Sequence, residues 1–326
     1  MTTSPEGAAE IITRVDQLRA ELDALRPLSP EAEARALQKL RLDWNYHSNA
    51  IEGNSLTYGE TMAFLMHGVT AKGKPFKDYL DIRGHNAAIK FILEIIRGET
   101  PLTEKDIRDL HALVLVEPYE IDAITPDGTS VRRMVHLGAY KTSPNHVRTA
   151  TGEVHYFASP EQTPIEMGEL MRWFAASEGA EHPLVRASVL HHRLVAIHPF
   201  DDGNGRVARL LMNLVLMRAG FPPAVLRNER RAEYYAALAR ADAGEIGPLV
   251  ELVGEAVARS IDVYVRAARG ESIDEPDDLD KEIALLRQEI ESRRGSGGVH
   301  LSEESRDFFV ERVVSPIVAQ MDAKLA

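Results

Sequence analysis

Residues 198–209 read HPFDDGNGRVAR, and a run of twelve residues, LLMNLVLMRAGF, follows at 210–221. This run is apolar enough to form a buried helix, and the glycines that precede it mark the point where the helix begins. A histidine, two aspartates and two arginines therefore stand at the start of one predicted core helix. These residue types at such a place indicate a site for the phosphates of a nucleotide.

Glycine and arginine positions of this stretch suit the binding of phosphate. Gly203 and Gly205 flank Asn204, so we expect positive φ angles that turn several backbone amides toward one point. A helix predicted to begin near Arg206 adds its unpaired amides and the positive end of its dipole. Arg206 and Arg209 are three residues apart and share a helix face, where they could hold successive phosphates.

The remaining polar positions suit chemistry on a bound nucleotide. Asp202 offers a carboxylate oxygen, which suits Mg²⁺ bound jointly with phosphate oxygens. Pro199 biases His198 toward an extended conformation at the edge of the loop. An imidazole with an ordinary pKa of about 6.5 could take a proton from an attacking hydroxyl. A purely structural turn would use the glycines but has no need of the histidine, the acid and the arginines.

This stretch resembles the active-site signature of the Fic family, HPFx(D/E)GNGRxxR, and every specified position matches. The resemblance implies a mainly α fold, a Fic-fold helical bundle with a small β-hairpin flap, and transfer of AMP from ATP to a Tyr, Thr or Ser hydroxyl of a protein target. It implies that His198 is the base, that Asp202 binds Mg²⁺ or Mn²⁺, and that Phe200 packs beneath the loop. The implied ATP contacts are Gly203, Asn204, Gly205, Arg206 and Arg209, the last reaching toward the γ-phosphate.

An upstream segment, SNAIEGN at 48–54, bears on how this site is regulated. Gly53 is a good residue to follow a helix end, and without other information Glu52 would be an exposed acid on a capped helix. The segment resembles the inhibitory helix of Fic proteins, (S/T)xxxE(G/N), which implies a helix at about 36–53. In that resemblance Glu52 competes with the γ-phosphate for Arg209, because both form bidentate bonds to guanidinium, and Ser48 braces the same contact.

Several other functions stay open. In reversible relatives the inhibitory glutamate and a metal activate water that removes AMP, so Glu52 also fits a deAMPylase or a bifunctional enzyme. His191 and His192, with Asp201 or Asp202, suggest a metal-dependent phosphohydrolase, although the paired spacing usual for helical metal sites is absent and packing is the favoured role of these histidines. A non-catalytic binding protein is a further alternative, which the intact signature disfavours. The last alternative is an enzyme that transfers another part of a nucleotide.

Two strand-like stretches precede the signature, at 131–140 and 152–157, with the polar segment KTSPNHVRTAT between them. This pattern predicts a β-hairpin. Its position resembles that of the Fic flap, beside which a target aligns by strand addition, although an ordinary surface hairpin is equally consistent. The predicted flap residues are Thr142, Ser143, Pro144, Asn145 and His146.

Composition narrows the class of protein. The 326 residues allow one sizeable core with appendages, and the net charge of −12 argues against a surface that binds nucleic acid. The chain has no cysteine, which excludes disulfides, Cys-ligated zinc and thiol catalysis. The first residues, MTTSPEGAAE, lack the features of a secretory signal, and no apolar run approaches the roughly 20 residues that span a bilayer. We therefore expect a cytoplasmic protein with no membrane partner, and self-modification and a homodimer stay open.

Three regions are predicted along the chain. Residues 1–97 form an N-terminal helical region with the inhibitory helix, residues 98–268 form the catalytic core, and residues 269–326 form a C-terminal helical appendage after an acidic hinge. Hydrophobic periodicity and caps predict the core helices. These are 103–116, 161–178, 184–196, 206–219, 230–241 and 245–268.

Overall fold

A computed structural model gives the structure of this protein and describes residues 5–124, 130–148 and 154–274. The protein is mainly α, as predicted. The appendage predicted at 269–326 lies almost wholly outside the described residues. The helices are α1 (Pro5–Ala24), α2 (Pro30–Ile51), α3 (Tyr58–His67), α4 (Phe76–Arg97), α5 (Glu104–Leu115), α6 (Thr163–Ala176), α7 (Pro183–Ile197), α8 (Asn204–Arg218), α9 (Arg231–Asp242) and α10 (Gly247–Ala268), with a 3₁₀ turn at Asn228–Arg230.

The chain divides into two compact units. Among the described residues, the first unit comprises 5–56 and those of 74–273, and the second comprises 57–73 and residue 274. Within the second unit α3 begins at a capping box, in which Thr57 and Glu60 each accept a hydrogen bond from the other's backbone amide. The functional boundaries near residues 97 and 269 remain predictions.

The core of the first unit is built around α8. This helix packs against α7, α4, α5 and α2. The run that follows the signature is buried as predicted, and full burial of each large aliphatic side chain contributes about 1.5–3 kcal/mol relative to exposure. The buried apolar residues of α8 are Val207, Ala208, Leu210, Leu211, Met212, Leu214, Val215 and Leu216.

The six predicted core helices are all present, and their ends shift by only a few residues. The largest consequence is at α8, which begins at Asn204 rather than near Arg206. Gly203 has φ 78° and forms the N-cap, whereas Gly205 lies inside the helix and does not have a positive φ. The prediction of two left-handed glycines was therefore wrong for Gly205, and another reason is needed for a glycine there.

The predicted pairing of 131–140 with 152–157 was wrong. Strand β2 (Ser130–Val135) pairs antiparallel with β1 (Tyr119–Ile124), and the short strands β3 (Val147–Arg148) and β4 (Val154–His155) pair separately. Strand β1 lies closer in sequence to β2 and alternates half-buried Tyr119 and Ile121 with exposed acids, so it offers β2 the nearer matching partner. A small β element is present, as predicted, but in the described part of the chain it comprises two separate antiparallel strand pairs.

None of the helices in the described ranges of the chain has the length and apolar character required to cross a membrane.

Candidate active site

The signature residues form a tight loop between α7 and α8. His198 ends α7 with φ 51° and ψ 58°, and its amide donates to Leu194 O at 3.0 Å. The extended conformation predicted for His198 was therefore wrong. Pro199 favours extended backbone for the residue before it, but here the helix end sets the conformation, because a left-handed residue is a common way to end a helix. The turn brings His198 and the first turn of α8 into one site.

Two side chains of the signature hold the loop together. Phe200 is fully buried and stacks on His111 of α5, with ring centroids 3.9 Å apart and planes 10° apart. This is the packing role that the resemblance implied. Asn204 accepts from the Phe200 amide at 2.9 Å and donates to the Phe200 carbonyl at 2.8 Å. Both polar atoms of the Asn204 side chain thus bind the loop backbone, whereas the resemblance implied a contact with ATP.

Two residues before β3, Lys141 and Asn145, hydrogen-bond to the backbone at the same loop. Asn145 donates to Phe200 O at 2.7 Å and to His198 O at 3.2 Å, so this predicted flap residue contacts the loop. Lys141 is buried, and its ammonium group donates to Asn145 Oδ1 at 2.8 Å and to Ile197 O at 3.2 Å. Each of these carbonyl groups therefore has a donor, which fixes the backbone on which the His198 ring is carried.

The other predicted flap residues lie farther out. Thr142, Pro144 and His146 are exposed, and Ser143 is partly buried. The Pro144 carbonyl accepts from Arg133 at 3.2 Å, and the His146 ring packs edge-on against exposed Tyr156 at 4.7 Å. The flap role of these residues remains a prediction.

The His198 ring is arranged as a neutral base. Its Nδ1 lies 3.3 Å from Val195 O, and a carbonyl can only accept, so Nδ1 carries the proton and Nε2 keeps its lone pair. One face stacks on Phe157, with centroids 3.9 Å apart. Burial, with the charge of Lys141, lowers the pKa of His198 to about 4, although Glu52 and Asp202 oppose the shift. The ring is therefore uncharged at neutral pH, with Nε2 unprotonated.

Asp202 is held as a carboxylate at the start of α8. Its oxygens accept from the Gly203 amide at 2.6 Å and from the Tyr119 hydroxyl, and Arg206 lies 3.7 Å away. Burial alone would raise the pKa of Asp202, but the charge of Arg206 and these two hydrogen bonds lower it. The side chain keeps 40% of its exposure. A charged, accessible carboxylate of this kind fits a Mg²⁺ or Mn²⁺ ion that is shared with phosphate oxygens.

Arg206 is buried in an ion pair with an acid far away in sequence. Its Nη1 lies 2.7 Å from Asp81 Oδ1 on α4, and the other Asp81 oxygen accepts from Lys77 at 3.1 Å. Burial would lower the pKa of Arg206, but Asp81 and Asp202 raise it above its ordinary value. Arg206 therefore stays charged at the helix start where the resemblance implied a contact with ATP, with part of its donor capacity committed to Asp81.

Arg209 contacts the segment that was predicted to be inhibitory. Its Nη2 lies 2.7 Å from Glu52 Oε1 and donates to Ser48 O at 2.8 Å, and its Nε donates to Ser48 Oγ at 3.0 Å. Helix α2 ends at Ile51, and Gly53 follows with φ 94°, so the chain turns away directly after Glu52. The Arg209 side chain is 2% exposed and that of Glu52 is 34% exposed, so the glutamate is the partner that can leave.

Gly205 provides the clearance for this contact. A Cβ at Gly205 would lie 2.4 Å from Glu52 Oε1 and 3.1 Å from Arg209 Nη1. Both distances are shorter than normal contacts, so the absence of a side chain is what allows Glu52 to reach Arg209. This explains why a glycine occupies a helical position.

We expect Gly205→Ala to displace the Glu52 carboxylate from Arg209 while the protein still folds, because the nearest atom is the end of a flexible side chain. The measurement is the Glu52–Arg209 distance in a crystal structure of the variant. Gly168→Ala in α6 is the matched control, since a Cβ there meets nothing within 4 Å, and it should raise stability by up to about 1 kcal/mol. An unchanged Glu52–Arg209 distance in Gly205→Ala would show that the clearance is not needed.

The neighbouring histidines serve structural roles. The Gly138 amide donates to His111 Nδ1 at 2.9 Å, so His111 Nε2 carries the proton and donates to Asp202 O at 3.0 Å. His191 is fully buried, as the packing role predicted, and lies 2.8 Å from the Tyr234 hydroxyl, whereas His192 lies 2.8 Å from Asp242. The two histidines thus contact Tyr234 and Asp242 rather than Asp201 or Asp202. These four side chains therefore do not form the metal site that a phosphohydrolase would need.

Buried neutral histidines predict acid sensitivity. Burial, with the charges of nearby arginines, lowers the pKa of His85 well below its ordinary value and that of His191 to about 3. In the unfolded chain both titrate near pH 6.5, so below that pH the unfolded state binds more protons and stability falls. We expect a loss of up to about 1.4 kcal/mol per pH unit for each histidine between about pH 6.5 and 5.

Urea unfolding across this pH range measures the slope. His85→Leu removes one of the two titrating groups, so it should give a shallower slope than the unmodified chain. Within the described ranges neither ring nitrogen of His85 has a hydrogen-bond partner, so this substitution breaks no hydrogen bond. Exposed His67→Gln should leave the slope unchanged. A slope that is the same in His85→Leu would contradict this account.

Several residues of the site were missed from the sequence. Asp81, Tyr119 and Tyr234 contact Arg206, Asp202 and Arg209 respectively. Asp81 offered a usable signal, because it stands between the apolar residues Leu80 and Ile82 on α4. An aspartate that is buried needs a cation beside it. The two tyrosines carried no signal of this kind.

These features together define a class of protein: a mainly helical one, with a glycine-bearing loop at the start of a buried helix, a neutral histidine in that loop and a charged acid beside it. The comparisons with known proteins agree. The Fic/DOC family model matches residues 101–216. The chain belongs to the Fic/DOC family.

Two solved structures illustrate the relationship. A Fic domain containing signaling protein from Bacteroides thetaiotaomicron is 38% identical, with a TM-score of 0.73 over 80% of this chain and 99% of that chain. Fic-1 from C. elegans is 32% identical, with a TM-score of 0.67 over 81% of this chain and 74% of that chain.

Curated relatives carry the name protein adenylyltransferase Fic. The protein from Nematostella vectensis is 32% identical over 258 residues, which are 78% of this chain and 56% of that protein. The protein from Drosophila melanogaster is 32% identical over 287 residues, which are 86% of this chain and 52% of that protein. The chain therefore spans about half the length of these relatives.

Proposed function

We propose that this protein transfers AMP from ATP to a Tyr, Thr or Ser hydroxyl of a protein target. The observation that carries the proposal is the placement of His198, which has an unprotonated Nε2, in the same loop as charged Asp202. The loop leads directly into the start of α8, which carries the arginines. The name of the curated relatives, protein adenylyltransferase, supports the same reaction.

The reaction is an in-line displacement at the α-phosphorus of ATP. The target oxygen forms a bond to this phosphorus, the bond to the β-phosphate oxygen breaks, and pyrophosphate leaves. His198 Nε2 takes the proton of the attacking hydroxyl. Mg²⁺ or Mn²⁺, when bound, neutralises charge on the phosphate oxygens, and Asp202 is the residue that would hold it. Gly203 and the first amides of α8 bind phosphate oxygens, as at other helix starts.

We propose further that Glu52 inhibits this reaction by occupying Arg209. A buried guanidinium stabilises whichever anion reaches it, and Glu52 is within 2.7 Å. The γ-phosphate of ATP would have to displace the glutamate. Ser48 accepts hydrogen bonds from Arg209 Nε and from Nη2, the nitrogen that also donates to Glu52, so the arginine keeps its orientation when Glu52 leaves.

Removal of AMP is the second candidate, because Glu52 places a partly exposed carboxylate in the same site, where it could activate a water. The test is release of AMP from an AMP-modified protein in the presence of Mg²⁺ or Mn²⁺. Release by the unmodified chain and none by Glu52→Gln would establish this direction. Labelled ATP with a cell lysate tests the transfer direction, and also self-modification and the identity of a protein partner.

The lowered pKa of His198 predicts an unusual pH dependence of transfer. Because the ring loses its proton near pH 4 rather than 6.5, the rate should stay constant from about pH 8 down to 5.5. The measurement is kcat/KM against pH in the Glu52→Gly variant, where loss of the glutamate removes a charge that favours the protonated ring. A half-maximal rate near pH 6.5 would contradict the assignment.

A further inference from the structure

Three arginines outside the signature, Arg227, Arg230 and Arg259, line one cavity in the same compact unit. This small, partly open cavity lies where the 3₁₀ turn, α9 and α10 meet the segment before them. We call it the arginine cavity. Its lining residues are Val225, Leu226, Arg227, Arg230, Tyr234, Leu252, Ala256 and Arg259.

Arg259 lacks a counterion within this cavity. It is partly buried on α10, and within the described part of the chain its guanidinium has no hydrogen bond and no carboxylate at ion-pair distance. Arg230, by contrast, is paired with Glu233 and with Glu255. The pKa of Arg259 is lowered by burial and by the charges of Arg227 and Arg230, which outweigh the opposing charges of Glu255 and Glu229.

A partly buried guanidinium beside other cations costs free energy unless an anion joins it. The apolar floor, which includes Val225, Leu252 and Ala256, strengthens any charge interaction by excluding water. A planar guanidinium binds tetrahedral oxyanions through two parallel hydrogen bonds, and the small cavity favours a small ion.

We propose that the arginine cavity is an oxyanion-binding site, which takes an ion such as inorganic phosphate with Arg259 as its main contact. The cavity also shares Tyr234 with the inhibitory contact, because Arg209 Nη1 lies 3.5 Å from the Tyr234 hydroxyl. Occupancy of the cavity is therefore coupled to the Glu52–Arg209 pair. The coupling rests on the proposed function, whereas binding does not.

Calorimetric titration with inorganic phosphate, at an ionic strength matched with chloride, tests the binding. We expect saturable binding that weakens about tenfold in Arg259→Gln and less in Arg259→Lys, which keeps the charge. Arg269→Gln, at the exposed end of the same helix, should bind as the unmodified chain does. Equal affinity in the unmodified chain and in folded Arg259→Gln overturns the proposal, because the phosphate is then bound elsewhere. If Arg259→Gln does not fold, equal affinity in Arg259→Met, which removes the charge and keeps most of the side-chain length, overturns it.

The coupling has its own measurement. Linkage requires that a change at the inhibitory contact alter phosphate affinity in the cavity. Glu52→Gly should therefore shift by at least about twofold the part of the phosphate affinity that Arg259→Gln removes, which separates the cavity from phosphate bound at the freed Arg209. Normal phosphate binding with the same affinity in Glu52→Gly would contradict the coupling alone. Loss of AMP transfer in every variant, with phosphate binding intact, would contradict the proposed function alone.

Discussion

Glu52→Gly is expected to raise AMP transfer about 10- to 100-fold. Freeing Arg209 lets it bind the γ-phosphate, and a hydrogen bond to a charged group contributes about 1.5–3 kcal/mol, where 1.4 kcal/mol is a factor of ten. Because Ser48 still holds Arg209, the arginine should keep its position in the variant. The measurement is the initial rate of incorporation of labelled AMP, into the protein itself or into a target.

Two further variants sharpen this result. Glu52→Gln keeps the size of the side chain and removes its charge, so it should also be activated, though less than Glu52→Gly. Glu99→Gly is a matched control, since Glu99 is exposed, already has a positive φ and lies outside the site. Equal transfer by Glu52→Gly and the unmodified chain, with ATP bound equally by both, would contradict autoinhibition.

His198→Ala, made in the Glu52→Gly background, is expected to lower transfer by about 10²- to 10⁴-fold, the usual contribution of a general base. ATP binding should change little, because the base is used only when the hydroxyl attacks. The measurement pairs the rate of AMP transfer with ATP affinity by calorimetry. His192→Ala is the control, since that ring contacts Asp242 instead of the loop. A normal rate in His198→Ala would remove this residue from the mechanism.

The sequence was a good guide to the core helix and to the loop before it. Apolar residues after the signature predicted a buried α8, and the glycines predicted its start to within two residues. These are local properties, set by hydrophobic burial and backbone freedom, so they can be read from neighbouring residues. The proximity of Glu52 to Arg209 came from the family resemblance, because no local property links positions 157 residues apart.

Three features could not be read locally. Gly205 is needed for clearance rather than for a positive φ, and this depends on where Glu52 lies. Asp81 pairs with Arg206 across 125 residues, so its role depends on the packing of α4 against α8. The partner of β2 was misassigned because two candidate strands flank it, and only the packed structure distinguishes them.

The central claim is that ATP and Glu52 compete for Arg209. The most direct measurement is ATP affinity in four proteins: the unmodified chain, Glu52→Gly, Arg209→Ala, and the double variant. The account predicts that Glu52→Gly tightens ATP binding only when Arg209 is present, so that the gain disappears in the Arg209→Ala background. The same gain with and without Arg209 would contradict it.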